Sequence, residues 1–184
     1  MLPRCRPATV ADASACARLW HASWHLAHGL IASPSLVAQK SLPVFQRNMQ
    51  ESLPHMLVAE DDERILGLAV AREGTLEHLY AHPDAIGTGV GRSLLNAAED
   101  SLRRTARGGT AQVIVASRNL HAIQFYEKHG WVRGGALAAS SLAACLASTP
   151  TLDNNLQERV AAAERQLGGL RCKLYIKSLV SERV

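Results

Sequence analysis

Aromatic side chains are scarce, with two Phe, three Tyr and three Trp in 184 residues. A surface that stacks successive nucleic-acid bases needs more, so the net charge of +4 does not by itself indicate a nucleic-acid partner. Cysteine is sparse too. Cys5, Cys16, Cys145 and Cys172 lie far apart with no Cys-x-x-Cys pair, which favours free thiols over a disulfide framework or a zinc site. No apolar run approaches the roughly 20 residues that span a bilayer. The most apolar segment, 136–147, is interrupted by serines, and the opening Met-Leu-Pro-Arg-Cys-Arg-Pro has no apolar core of the signal-peptide kind. The expectation is a cytoplasmic protein with no membrane and no nucleic-acid partner. At 184 residues the chain suits a single domain, 1–184.

Two nucleotide signatures are also missing. A dinucleotide loop needs a third glycine where Arg92 stands, and a nucleoside-triphosphate P-loop needs Gly and Lys where Ile86 and Arg92 stand. What is present is a run of alternating glycines, Gly87-Thr88-Gly89-Val90-Gly91-Arg92, between the strand pattern Thr75 to Ala81 and the helical repeat Leu94, Ala98, Leu102. Backbone without a Cβ can approach an anion closely, and the first amides of a helix supply unpaired donors and a favourable dipole. The loop reads as a phosphate cradle. Arg103, Arg104 and Arg107 cluster near the end of the same helix, where cations complement its dipole.

Further elements follow from pattern. Arg4 to Thr9 reads as a strand, and Asp12 as the cap of a helix carrying Ala13, Cys16, Ala17 and Trp20. A second helix follows the loop at 28–34, interrupted near Pro43 and stopped near Pro54. Met56 to Glu60 and Ile65 to Ala71 flank an acidic turn as a hairpin. Val113 to Ala116 is a buried strand, and Asn119 to His129 a helix closed by Gly130. After Gly134 the chain turns alanine-rich, then carries Leu152, Leu156, Val160, Ala163 and Leu167 on one stripe, and Cys172, Leu174 and Ile176 alternate as a final strand. Segment 135–170 therefore reads as a long helical connection.

Leu79-Tyr80-Ala81-His82-Pro83 with the glycine run and Leu94-Leu95 resembles the acetyl-CoA motif of the GNAT superfamily of N-acetyltransferases. A second block, Asn119, Ala122, Phe125, Tyr126, Gly130 and Trp131, resembles that family's other signature. The resemblance runs from about residue 7 to residue 133 and departs at Ile86, where the family usually carries Gln or Arg. It implies an α+β fold, a mixed and mostly antiparallel sheet flanked by helices, in which 135–170 is a helical insertion before the last strand, expected to cover the acceptor site or to form a homodimer contact. It also implies direct transfer of acetyl from acetyl-CoA to a primary amine on a small molecule or peptide. Leu79 and Ala81 would meet the pantetheine arm, a backbone N–H near Tyr80 would polarise the thioester, and residues Gly87, Thr88, Gly89, Val90, Gly91 and Arg92 would hold the pyrophosphate. Asn119 would contact pantetheine or simply cap its helix.

Tyr126 is the expected general acid, although Ala122, Phe125, Tyr126 and His129 also fit an ordinary core stripe. Glu77 or a water is the expected general base, with His78 and His82 open. Strand alternation lets only one of Glu77 and His78 face the acceptor. His21, His25 and His28 share one helix face. No acid or cysteine joins them locally, so Trp24, His25 and His78 are read as acceptor-pocket residues and no metal is expected. A CoA-binding sensor or interaction module with little catalysis is the alternative.

Overall fold

The computed structural model describes residues 3–62, 64–106, 109–134 and 171–179. The insertion expected over 135–170, together with Arg107 and Cys145, lies outside the described residues. Strands β1 (Arg4–Pro7), β2 (Met56–Glu60), β3 (Ile65–Arg72), β4 (Thr75–Ala81), β5 (Thr110–Ala116), β6 (Val132–Arg133) and β7 (Cys172–Ser178) form one sheet in the order β1-β2-β3-β4-β5-β7-β6. Helices α1 (Ala13–His28), α2 (Pro34–Gln39), α3 (Leu42–Ser52), α4 (Val90–Thr105) and α5 (Leu120–Lys128) flank it. Every neighbouring pair is antiparallel except β4 and β5, which run parallel.

Period-two alternation sorts the strand residues between two cores. Ala59 and Ala69 join Leu94, Leu95, Ala98 and Leu102 of α4 and Ile123 and Tyr126 of α5. Their neighbours Val58, Leu68 and Val70 pack instead with Cys16, Trp20 and Trp24 of α1 and Phe45 and Met49 of α3. The four-residue repeat seen in α4 is thus a buried stripe on one face of the sheet, and the aromatic residues of α1 and α3 cover the other.

Two local readings are revised. Asp12 does stand at the start of α1, but its carboxylate turns back, accepting from the Thr9 amide at 2.7 Å and hydroxyl at 2.8 Å and pairing with Arg6 at 2.7 Å. The cause is Arg6, held between Asp12 and Glu60 (2.6 Å), so Asp12 anchors β1 instead of capping the helix. That contact holds the Asp12 carboxyl well below the usual carboxylate range. The helix is interrupted near Pro43 as expected, between α2 and α3, but Pro43 is not what breaks it. Pro43 lies in the first turn of α3, where its missing N–H costs nothing, and α2 has already ended before it.

One buried charge cluster ties α4 to the far edge of the sheet. Glu99 is 5% exposed and receives Lys177 Nζ of β7 at 2.9 and 3.0 Å and the Trp131 indole N–H at 2.9 Å. Lys177 also donates to the His129 carbonyl at 2.8 Å, closing the turn after α5. Glu99→Ala strands Lys177 and the indole without their acceptor. Urea unfolding is expected to show a loss of about 3 kcal/mol, since removing one partner of a buried pair leaves the other uncompensated.

Candidate active site

The parallel pair β4 and β5 meets at one position, Thr75 opposite Gln112. There the Gln112 N–H donates to the Gly74 carbonyl at 2.9 Å and its side-chain amide to Thr75 Oγ1 at 3.1 Å. Beyond that point β5 stays paired with β7 through Ala116 and β4 stays with β3 through Ala81. The two strands therefore part. On β4 the register shifts between Ala71 and Val70, whose partners are Leu76 and His78, leaving Glu77 as the extra residue of a bulge.

Farther along, the His82 N–H donates to the Leu66 carbonyl at 2.7 Å, which sets the phase of the ladder. In an antiparallel ladder of that phase, Tyr80 turns its peptide groups toward β3 while Leu79 and Ala81 turn theirs toward the gap. The Ala81 carbonyl accepts from Ser23 Oγ of α1 at 2.9 Å, and the amides remain as donors along the opening. The gap continues into a cavity of about 690 Å³. Its walls include Leu76 to Tyr80 of β4, Val113 to Ala116 of β5, Asn119, Ala122 and Tyr126, with Trp20, Trp24, His28, Lys40 and Phe45 on the α1 and α3 side.

The glycine run lies beyond the end of β4. Gly87 and Gly89 adopt φ of 83° and 95°, a region L side chains rarely enter, and a Cβ at either would meet open space. These glycines thus serve backbone shape. Gly91 differs: it lies inside α4, and a Cβ there would sit 3.4 Å from the Phe125 ring. The first intrahelical bond of α4 runs from the Ser93 amide to the Gly89 carbonyl (3.0 Å). The amides of Val90, Gly91 and Arg92 precede it, so they point out of the helix start as donors. Thr88 turns its hydroxyl inward onto the Ala85 carbonyl at 2.7 Å, the Val90 side chain is buried, and Arg92 is exposed.

Tyr126 lines the cavity floor with 6% exposure. Burial, followed by the neighbouring Tyr80 phenol, raises its pKa above the ordinary phenol value. Tyr80 is raised by burial as well, although a hydrogen bond from the Trp20 indole opposes this. Asn119 caps α5, its Oδ1 accepting from the Ala122 amide at 3.1 Å, and it also lines the cavity.

The bulge overturns the alternation argument for Glu77 and His78. Both border the same cavity, Glu77 paired to Arg72 at 2.7 Å and His78 with its ring centroid 4.5 Å from that of Trp20. His78 is pushed down to about 3 by burial and then by the charges of Lys40 and Arg72. His82 sits away from this wall, its Nδ1 accepting from the Asp84 amide at 3.2 Å.

Of the three histidines on α1, His28 lines the cavity and stacks on Trp24 at 5.2 Å. His25 does not line it: its Nε2–H donates to the Lys40 carbonyl at 2.7 Å, behind the wall that Trp24 forms. Among the described residues no group of three His, Cys, Asp or Glu side chains converges on a metal position. Lys40, Phe45 and Arg72 are cavity residues that the sequence did not disclose. Arg72 alone left a signal, five residues before Glu77 across the Glu73-Gly74 turn.

A family model described as an acetyltransferase (GNAT) domain matches residues 35–139, more than half of the chain. The chain belongs to the GNAT family of acetyltransferases. A comparison with curated proteins finds no match. Among solved structures, a GCN5-related N-acetyltransferase from Rhodopseudomonas palustris is 25% identical, with 72% of this chain and 83% of that chain covered and a TM-score of 0.59. The PaiA N-acetyltransferase of Thermoplasma acidophilum, in complex with coenzyme A, is 21% identical over 72% and 91% of the two chains, TM-score 0.57. The yncA protein of Salmonella typhimurium, a putative acetyltransferase with acetyl-CoA, is 22% identical over 73% and 82%, TM-score 0.52. The last two likenesses bear on the fold, which the mixed, mostly antiparallel sheet shares.

The lowered pKa of His78 makes stability depend on pH with a definite sign. Unfolded, the imidazole titrates near 6.5; folded, it stays neutral down to about 3. Within that window the unfolded chain binds the extra proton. The contribution is fully present above pH 6.5 and is lost as pH falls toward 3, and buried His28, also lowered, adds in the same sense. Thermal or urea unfolding between pH 7 and pH 5 is expected to show a loss of about 1 kcal/mol per pH unit from this residue. His78→Gln should flatten that slope.

Proposed function

We propose that the protein is an acetyl-CoA-dependent N-acetyltransferase that moves acetyl to a primary amine by direct attack. The observation that carries this reading is the parting of β4 and β5. It leaves the amides of Leu79 and Ala81 facing a cleft whose floor is Tyr126, while the outward amides of α4 lie past the end of β4. The donor supplies a thioester carbonyl and a thiol leaving group. Leu79 and Ala81 hydrogen-bond the pantetheine arm, and a strand amide beside Tyr80 polarises the carbonyl. The amides from Gly87 to Arg92 hold the pyrophosphate without needing a side chain at position 86. With Oδ1 of Asn119 committed to its helix, the Nδ2 hydrogens are left for pantetheine.

Tyr126 is the general acid. Raised by burial, it is protonated at neutral pH, and the same apolar setting raises the basicity of a departing thiolate, which keeps the transfer matched. Glu77, directly or through a water, takes the proton of the incoming amine. Its Oε1 is held by Arg72, so Oε2 is the atom that remains for this task. The acceptor is a small-molecule or peptide amine. Free thiols at Cys5 and Cys16 suit a cytoplasmic setting.

Thiol release from acetyl-CoA across a panel of amines, paired with calorimetry of CoA binding, tests the reading. Binding without turnover of any amine would favour the sensor alternative. Tyr126→Phe is expected to keep donor affinity within about twofold while lowering kcat about 100-fold, the lower range for loss of a positioned acid. Unchanged turnover removes Tyr126 from the mechanism. Gly89→Val should weaken CoA binding about tenfold or more, because a β-branched side chain resists the positive φ that aims the loop amides.

A further inference from the structure

The cavity wall opposite the donor cleft is aromatic, built by Trp20, Trp24 and Phe45, and carries a lysine, Lys40, with no counter-ion among the described residues. Lys40 ends α2, half-buried, with Nζ 5.8 Å from the centre of the Trp24 ring. Among the described residues no carboxylate pairs with it. The second cation on this wall, Arg72, is satisfied: Glu77 contacts it and Glu51 lies near enough to act on it electrostatically. The groups that feel the Lys40 charge are instead His28 and His78, and His78 stays neutral.

The position of Lys40 is held by the backbone. Its amide donates to the Leu36 and Val37 carbonyls at 3.2 Å, and its own carbonyl receives the His25 imidazole at 2.7 Å. That peptide is therefore tied to both α2 and α1. Burial lowers the Lys40 pKa, a cost that an anionic ligand would offset.

Resting on the acetyltransferase reading, we propose that the acceptor is an amino-acid-like molecule, its carboxylate paired with Lys40 and its apolar side chain laid against Trp20, Trp24 and Phe45, so that its amine is presented to the donor cleft. Polyamines are disfavoured by the same charge, since a second ammonium near Lys40 would be repelled, and the carboxylates of this cavity, Glu51 and Glu77, lie with Arg72 instead. An unpaired ammonium beside an indole face, in the same cavity as Tyr126, has a use when the ligand brings the anion.

Matched pairs of acceptors test this. L-phenylalanine, L-leucine and L-tryptophan are compared with 2-phenylethylamine, isopentylamine and tryptamine, which lack only the carboxylate, and with spermidine, at saturating acetyl-CoA. The expected result is a kcat/KM at least about tenfold higher for one or more of the acids than for the matched amine, the size of one charge-assisted hydrogen bond. Lys40→Met should bring that ratio toward one, chiefly through KM, and Lys40→Arg should restore it.

Equal or better turnover of the amines or of spermidine overturns the proposal, as does a Lys40→Met variant that keeps the wild-type ratio. Turnover of none of these acceptors by donor-loaded protein also overturns it. Donor binding measured separately keeps the two readings apart: if acetyl-CoA does not bind the folded protein, the acetyltransferase reading falls and takes this one with it.

Discussion

The site depends on two neighbouring strands that fail to stay paired. β4 and β5 share one bridge at Thr75 and Gln112, and each is then drawn to its other neighbour, β3 or β7. The two-residue turn at Glu73 and Gly74, with φ of 49° and 77°, sets where β4 begins, and the bulge at Glu77 increases its twist soon after. Backbone polar groups at the centre of a sheet ordinarily find partners in the next strand. Here those of Leu79 and Ala81 open onto a cleft, which makes an extended, amide-bearing ligand arm a fitting occupant of the gap.

Because the gap cuts through the sheet, it joins the two cores that the sheet otherwise separates. The α5 side contributes Asn119, Ala122 and Tyr126; the α1 and α3 side contributes Trp20, Trp24, Phe45 and Lys40. Under the function proposed above, the donor would enter from the first of these sides and the acceptor from the second. The Glu99, Lys177 and Trp131 cluster keeps α4 and β7 in place on the donor side. Arg6, between Asp12 and Glu60, ties β1 and β2 to the start of α1 on the acceptor side.

Much of the donor half was legible in the sequence because its chemistry is local. Gly87 and Gly89 adopt the positive φ that their residue type permits, Asn119 caps a helix as Asn does, and the repeat Leu94, Ala98, Leu102 is buried as its period implies. Asp12 and Pro43 were harder to read, since each fits two local roles and a distant partner or the end of a preceding helix chooses between them. The acceptor half was least legible. Lys40 carries no motif, and the role of His25 depends on a carbonyl fifteen residues away on another helix.

The amino-acid order alone thus determined the family, most of the described strands and helices and the glycine turn before α4, because these follow from backbone preferences and short-range spacing. Only the tertiary structure decided that Glu77 and His78 share one cavity, that Arg72 holds the former, and that Lys40 stands over the Trp24 ring. A bulge shifts side-chain direction by one residue, and ion pairing depends on which elements pack together, so neither is contained in the spacing of residues along the chain.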